Sequence, residues 1–412
     1  MNYNKKTLDQ VDIQGKKVIV RLDLNVPIVD GVITDIERIV AALPTLKYLI
    51  EKNCKIICLS HLGRIKSLDD KNSNKKSLKP VSVKLQELLG DLTKVKFLDK
   101  NVGDEVIESI NQLEPKEILL LENTRYNDVN DSGEVIKAES KNDPKLGLFW
   151  ASLADVFVND AFGTAHRAHA SNVGIASNIQ TSCIGFLIQK ELDSLQKVIN
   201  NPERPLVVVL GGAKVADKLG VIKNLLNIAD EILIGGGMTY TFLKAKGMDL
   251  ANTKYEEDLV EEAKQILASE QSKKLFLPID LKGSKTFEDI PPIICEDINQ
   301  PWPEGFMGMD IGEKTIELYS KQLAKAKTIF WNGPVGVFEF SNFSGGTNGI
   351  AKVICDLTSK GAYTVIGGGD SASAINNLGL TNNVSFVSTG GGASLSLLEG
   401  TVLPGIECIP NK

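Results

Sequence analysis

Histidine is scarce in this chain: three copies in 412 residues, at His61, His166 and His169, which excludes a histidine-rich zinc site. Cysteine is little richer. The six copies, Cys54, Cys58, Cys183, Cys295, Cys355 and Cys408, form no CxxC pair and have no histidine at metal spacing, so buried free thiols are expected. No run resembles a transmembrane span, and MNYNKKTLDQVDIQGKK lacks the apolar core of a secretory signal, so a cytoplasmic location is expected. GKS and GKT are missing, which excludes a Walker A site; HRD and DFG are missing too, which excludes a protein kinase. Net positive charge is also lacking: 46 basic against 52 acidic residues give −6, which argues against nucleic acid or an anionic membrane held by overall field.

Present throughout is an alternation of short β-rich runs with longer helical ones. KKVIVRLD, CKIICLSH, KVKFLD, EILLLEN and DVFVND come first, then RPLVVVLGG, EILIGG, KLFLPID, TIFWNGP, AYTVIGGG and VSFVSTGGG. The pattern predicts βα units in an α/β fold with mainly parallel sheets. A chain of 412 residues exceeds one ordinary core, so two domains of about 200 residues are the natural division. Between the two series, GFLIQKELDSLQKVINNPERP spaces Leu187, Glu191, Leu192, Leu195 and Ile199 as a helix, read as the segment joining the domains. Two polar, breaker-rich stretches, IKSLDDKNSNKKSLKP and NDVNDSGEVIKAESKNDPK, read as solvated loops without chemistry.

Ligands of open parallel sheets bind beyond the carboxyl ends of strands. In the first half those ends carry Arg21, Asp23, Asn25, His61, Arg64, Asn123, Arg125, Asp160, His166, Arg167 and His169, and DIERI adds Arg38. Singly, each arginine reads as surface or structural; together they suit a small, highly charged molecule held bidentately. In the second half the ends carry glycine and backbone, in GGAKVADK, GGGMTYTF, WNGPVGVFE, GGGDSASA and STGGGASLSLLEG. Backbone N–H groups with Lys214 and Lys218 suit nucleotide phosphates, VGVF a base, and Glu339 ribose hydroxyls. The two triglycines each close a β-branched run and open a helix, and Asp370 follows the first, where a carboxylate holds a metal beside phosphate oxygens.

Gly367, Gly369 and Ala372 also satisfy GxGxxA, but Ser388 and Thr389 stand where a dinucleotide fold wants an acid, so hydride transfer is the weaker enzymatic alternative. A binding or scaffold protein is the alternative from another class; intact Arg38, Lys214 and Asp370 speak against it. Phosphoryl transfer needs mainly positioning and charge neutralisation, and an ionised acceptor oxygen requires no general base.

The motifs RLDLNVP, SHLGR, LENTRY, NDAFGTAHRAHAS, GGAKVADK, LIGGGMTYTF, WNGPVGVFE, GGGDSASA and STGGGASLSLLEG resemble those of phosphoglycerate kinases in identity, order and spacing along essentially the whole chain. The resemblance implies reversible Mg2+-dependent transfer of the acyl phosphate of 1,3-bisphosphoglycerate to ADP in glycolysis, giving 3-phosphoglycerate and ATP. It further implies a monomer that bends about a hinge, with two Rossmann-like domains: a phosphoglycerate domain over 1–183, a joining helix over 184–200, a nucleotide domain over 201–400, and a tail over 401–412 packing on the first domain. By position, Asp23, Asn25, His61, Arg64, Arg125 and Arg167 match phosphoglycerate contacts, Arg38 the arginine meeting the transferring group, and Lys214 the lysine neutralising it. Lys218, Asn332, Glu339, Gly367, Gly368 and Ser371 match the nucleotide side, Asp370 the magnesium ligand, and Gly369 and Gly392 the amides that support the transition state. Ile65 replaces the usual proline, removing a constraint on the loop that carries Arg64; Tyr126 replaces phenylalanine and Ser371 replaces a frequent threonine, each keeping its ring or hydroxyl. The segment 127–145 is longer than typical.

Overall fold

The computed structural model describes residues 2–412. Contacts divide them into two units: Asn2–Asp193 with Val402–Lys412, and Ser194–Thr401.

In the first unit β1 (Lys17–Leu22), the hairpin strands β2 (Ile28–Val29) and β3 (Val32–Ile33), β4 (Lys55–Leu59), β5 (Val95–Leu98), β6 (Ile118–Leu121), β7 (Val156–Asp160) and β8 (Ser182–Ile184) alternate with helices. These are α1 (Glu37–Glu51), α2 (Leu68–Asn72), α3 (Lys79–Leu89), α4 (Asp104–Asn111) and α5 (Pro144–Ala151). Six strands form one sheet in the order β5-β6-β4-β1-β7-β8, and every pair is parallel. Central β1 is buried on both faces, as the unbroken run Val18-Ile19-Val20 requires of a strand covered by helices. On one side Val18, Val20, Ile56, Cys58 and Val158 pack with Ile39, Leu46, Leu49, Val81 and Leu85 from α1 and α3. Helix α6 (Phe186–Ile199) stops before Asn200-Asn201-Pro202, where breakers end the apolar spacing, and the division between the units falls inside it. Asp160, ending β7, accepts from the Leu187 and Ile188 amides at 2.8 and 3.1 Å, and a Cβ on the intervening Gly185 would overlap its carboxyl. The tail, including α14 (Pro404–Glu407), lies on this unit: Gly405 O accepts from Asn159 Nδ2 at 2.6 Å and Pro410 O from Lys6 N at 2.9 Å.

The second unit repeats the architecture. β9 (Leu206–Leu210), α7 (Leu219–Ile228), β10 (Glu231–Ile234), α8 (Met238–Ala245), α9 (Val260–Ala268) and β11 (Leu275–Phe276) lead into β12 (Leu281–Ser284), β13 (Ile293–Cys295) and β14 (Met307–Ile311). Then come α10 (Glu313–Leu323), β15 (Thr328–Asn332), α11 (Gly345–Ser359), β16 (Tyr363–Gly367), α12 (Gly369–Asn377), β17 (Phe386–Val387) and α13 (Gly392–Glu399). Its parallel sheet runs β11-β10-β9-β15-β16-β17, and β13-β12-β14 form a small antiparallel sheet. Register sets Asn332 opposite Leu210 and Gly367, so three strands end together. The last strand is shorter than the run Val384–Val387 suggests: Ser385 exchanges side-chain hydrogen bonds with Thr364 at 3.0 Å, replacing the ladder there. All six cysteines are free, and all but the partly buried Cys408 are buried; burial pushes the Cys54 thiol up to about 11. No helix among the described residues is long and apolar enough to cross a membrane.

Candidate active site

Each unit has a cavity lined by some of the expected residues: Arg64, Arg125 and Arg167 in the first, Glu339 and Asp370 in the second. In the first, Arg64, Arg125 and Arg167 line one cavity of about 490 Å³ with Ile65, Lys66, Lys137 and His169. Beside them Asp23 Oδ2 accepts from Arg38 Nη1 at 2.7 Å, an ion pair whose carboxylate is buried and whose guanidinium is 35% exposed. Asn25 Oδ1 accepts from Gly63 N at 2.8 Å, tying the loop after β1 to the one after β4. Asn123 ties the latter to the loop after β6: its Oδ1 accepts from Leu62 N and Arg125 N, both at 3.1 Å, and its Nδ2 donates to Leu62 O at 2.7 Å. Ile65, next to Arg64 in this loop, has a buried side chain.

The basic cluster rests on buried groups. Arg21 is fully buried inside β1, and its Nη2 lies 3.2 Å from His61 Nδ1. A guanidinium only donates, so His61 accepts through Nδ1 and carries its proton on Nε2. Burial, reinforced by Arg21 and Arg125, holds His61 well below its ordinary range, and burial with the same arginines takes His169 to about 3. Both rings are therefore neutral at pH 7, and the positive charge belongs to arginine. The stretch after Asn127 departs from its reading as a solvated loop: Asp128 is 5% and Glu139 0% exposed, both facing the arginines. Composition hid them, because the neighbouring residues are polar and exposed.

In the second unit a cavity of about 490 Å³ is walled by Gly212, Ala213, Gly236 and Gly237, by Tyr240, Met309, Pro334 and Val337, and by Glu339 and Asp370. Lys218 is 7% exposed and donates to Asn332 O at 2.9 Å and to Gly211 O, joining two strand ends. Burial lowers its pKa to about 8, against the pull of Asp370 and Asp217. Asn332 is 2% exposed, and its Nδ2 is buried without a hydrogen-bond partner. Ser371 Oγ accepts from Gly333 N at 2.6 Å, so that hydroxyl braces the WNGP turn. Gly368, at φ +89°, takes a conformation that lets α12 begin at Gly369, and Asp370 stands exposed in its first turn. Lys214 and Gly392 are exposed, Gly392 opening α13.

Among the described residues no three His, Cys, Asp or Glu side chains converge as a metal cage. Asp370 alone fits a hard cation that draws its other oxygens from phosphate and water, the usual arrangement for magnesium on a nucleotide.

The sequence model of the phosphoglycerate kinase family matches residues 8–401. The chain is 57% identical over 420 residues to the phosphoglycerate kinase of Mycoplasmoides gallisepticum, covering 100% of both chains, and 58% identical over 410 residues to that of Mycoplasma pneumoniae, covering 99% of both. Its fold matches the phosphoglycerate kinase of Coxiella burnetii with a TM-score of 0.84 at 36% identity, over 98% of each chain. With an arginine-lined pocket in one unit, a glycine-walled one in the other and these relatives across its full length, the chain belongs to the phosphoglycerate kinase family, glycolytic enzymes that transfer phosphate to a carboxyl acceptor.

Proposed function

We propose that the chain catalyses the reversible, Mg2+-dependent transfer of the acyl phosphate of 1,3-bisphosphoglycerate to ADP, giving 3-phosphoglycerate and ATP. The observation that carries this is the pairing of chemistries: three arginines around one cavity, and glycine backbone with Glu339 and Asp370 around the other. In this reading residues 1–183 hold phosphoglycerate, with the tail 401–412, and residues 201–400 hold the nucleotide. Asp23, Asn25, His61, Arg64, Arg125 and Arg167 bind and orient the phosphoglycerate. In the direction of ATP use, its carboxylate oxygen attacks the γ-phosphorus in line, the bond to the β-phosphate oxygen breaks and ADP leaves. No proton is transferred, consistent with the absence of a charged histidine among these groups.

Arg38 gives one arm to Asp23 and turns the rest of its fork to the moving phosphoryl group, while Lys214 neutralises that group from the nucleotide side. The amides of Gly369 and Gly392 donate to its equatorial oxygens. Lys218, Asn332, Gly367, Gly368 and Ser371 cradle the phosphates, Glu339 takes the ribose hydroxyls, and Asp370 holds magnesium. When bound, that ion neutralises charge on the phosphate oxygens. The two half-sites act on one phosphoryl group, so they close about the α6 region before transfer, which also excludes water. A cytoplasmic monomer suits this reading. The test is direct: incubate the protein with 3-phosphoglycerate and MgATP and couple any 1,3-bisphosphoglycerate to NADH oxidation. Falling absorbance is expected; a flat trace with folded protein overturns the proposal.

A further inference from the structure

The segment 127–145 delivers a fully buried carboxylate to the underside of the arginine cluster. Glu139 Oε2 accepts from Ser171 N at 3.0 Å, and Oε1 accepts the Ser171 hydroxyl proton in a short bond. The Glu139 carbonyl accepts from Ala170 N at 3.0 Å and Asn142 N at 3.2 Å, so both ends of the contact are pinned by backbone. Having donated its proton, Ser171 Oγ keeps lone pairs, and one accepts from Arg21 Nε at 2.7 Å. Arg21 then reaches His61 at 3.2 Å, and Glu139 Oε1 lies 3.8 Å from His169 Nδ1. A continuous chain thus runs Glu139, Ser171, Arg21, His61, from a residue off the cavity wall to one expected on the substrate. The same segment lays Val135, Lys137 and Ser140 along the cavity that Arg64, Arg125 and Arg167 line. Arg21 and Arg125 repel each other at close quarters, and Glu139 is among the few buried negative charges that oppose them.

We propose that Glu139 is a positioning residue for phosphoglycerate: acting through Ser171, it fixes Arg21 and His61, so this carboxylate serves the substrate site without touching substrate. This rests on the function proposed above. Glu139→Gln removes the charge but keeps the shape, and Ser171→Ala keeps the carboxylate and its bond to the backbone N–H while cutting the hydroxyl link to Arg21.

Steady-state kinetics on both full-length variants, with folding checked by thermal unfolding, decide the matter. KM for 3-phosphoglycerate is expected to rise about tenfold in each, with KM for ATP within about twofold of the parent and kcat at saturation little changed. Should Glu139→Gln fail to fold, Ser171→Ala decides alone. A KM for 3-phosphoglycerate within about twofold of the parent, or equal rises in both KM values, overturns the role of Glu139. An inactive parent protein would instead remove the proposed function, while an active parent with unmoved variants removes only the positioning role.

Discussion

Lys214 is exposed, and Arg38 is 35% exposed with one arm on Asp23, so neither side chain is buried in the core. Replacing either with alanine should therefore leave the fold intact and remove charge stabilisation worth about 3–4 kcal/mol, lowering kcat by about 10²–10³-fold. Near-normal turnover in both variants would refute their assignment. Lys218 is the opposite case, a buried cation whose pKa of about 8 lies well below the ordinary 10.5. Between those two values the unfolded chain binds more protons than the folded one, so stability should rise with pH across that window, and the cost of the buried charge is complete below pH 8. Nucleotide binding should move the other way, since Lys218 loses its charge as pH climbs past 8. KM for ATP is expected to rise above pH 8 while KM for 3-phosphoglycerate stays level; a level KM for ATP up to pH 9.5 would sink this role.

At the scale of elements, much was legible because strand and helix leave different periods in the sequence. The runs around Val18–Val20, Val207–Val209 and Val365–Ile366 form strands, and the glycines and arginines after the strands fall at the carboxyl edges. What stayed hidden was the support. Glu139 meets Ser171 across 32 residues of chain, and no local pattern marks a glutamate in a polar stretch as the one that is buried. Ser385 and Thr364 likewise shorten β17 through side chains 21 residues apart. The junction of β7 and α6 offers a test. Burial raises the Asp160 carboxyl to about 6 from 3.8, although the Thr45 hydroxyl and two helix amides pull it down. Between those values the folded state holds more protons, so the contribution of Asp160 to stability is full below pH 3.8 and is lost as pH rises through 6. Asp160→Asn keeps an acceptor for Leu187 and Ile188 but drops the charge. It should stabilise the protein by about 2–3 kcal/mol at pH 7.5 and by little at pH 4, read from urea unfolding at both. Destabilisation at pH 7.5 would mean that the charge serves the start of α6 more than burial costs it.

At the scale of the whole molecule, the two kinds of pocket belong to different contact units, and neither holds a full set for phosphoryl transfer. The first has arginines for an acidic phosphorylated acceptor but no glycine-rich helix start to receive a nucleotide. The second has that cradle and Asp370 but, with Lys214 and Lys218, few cations for an acceptor that is itself charged. The closure proposed above repays its cost only when both substrates add contacts that exist in the closed state alone. Small-angle scattering should accordingly show the radius of gyration falling when 3-phosphoglycerate and a non-hydrolysable ATP analogue with Mg2+ are present together, with smaller changes for either alone. If the scattering curve of the ternary complex superposes on that of the free protein, closure about α6 is wrong.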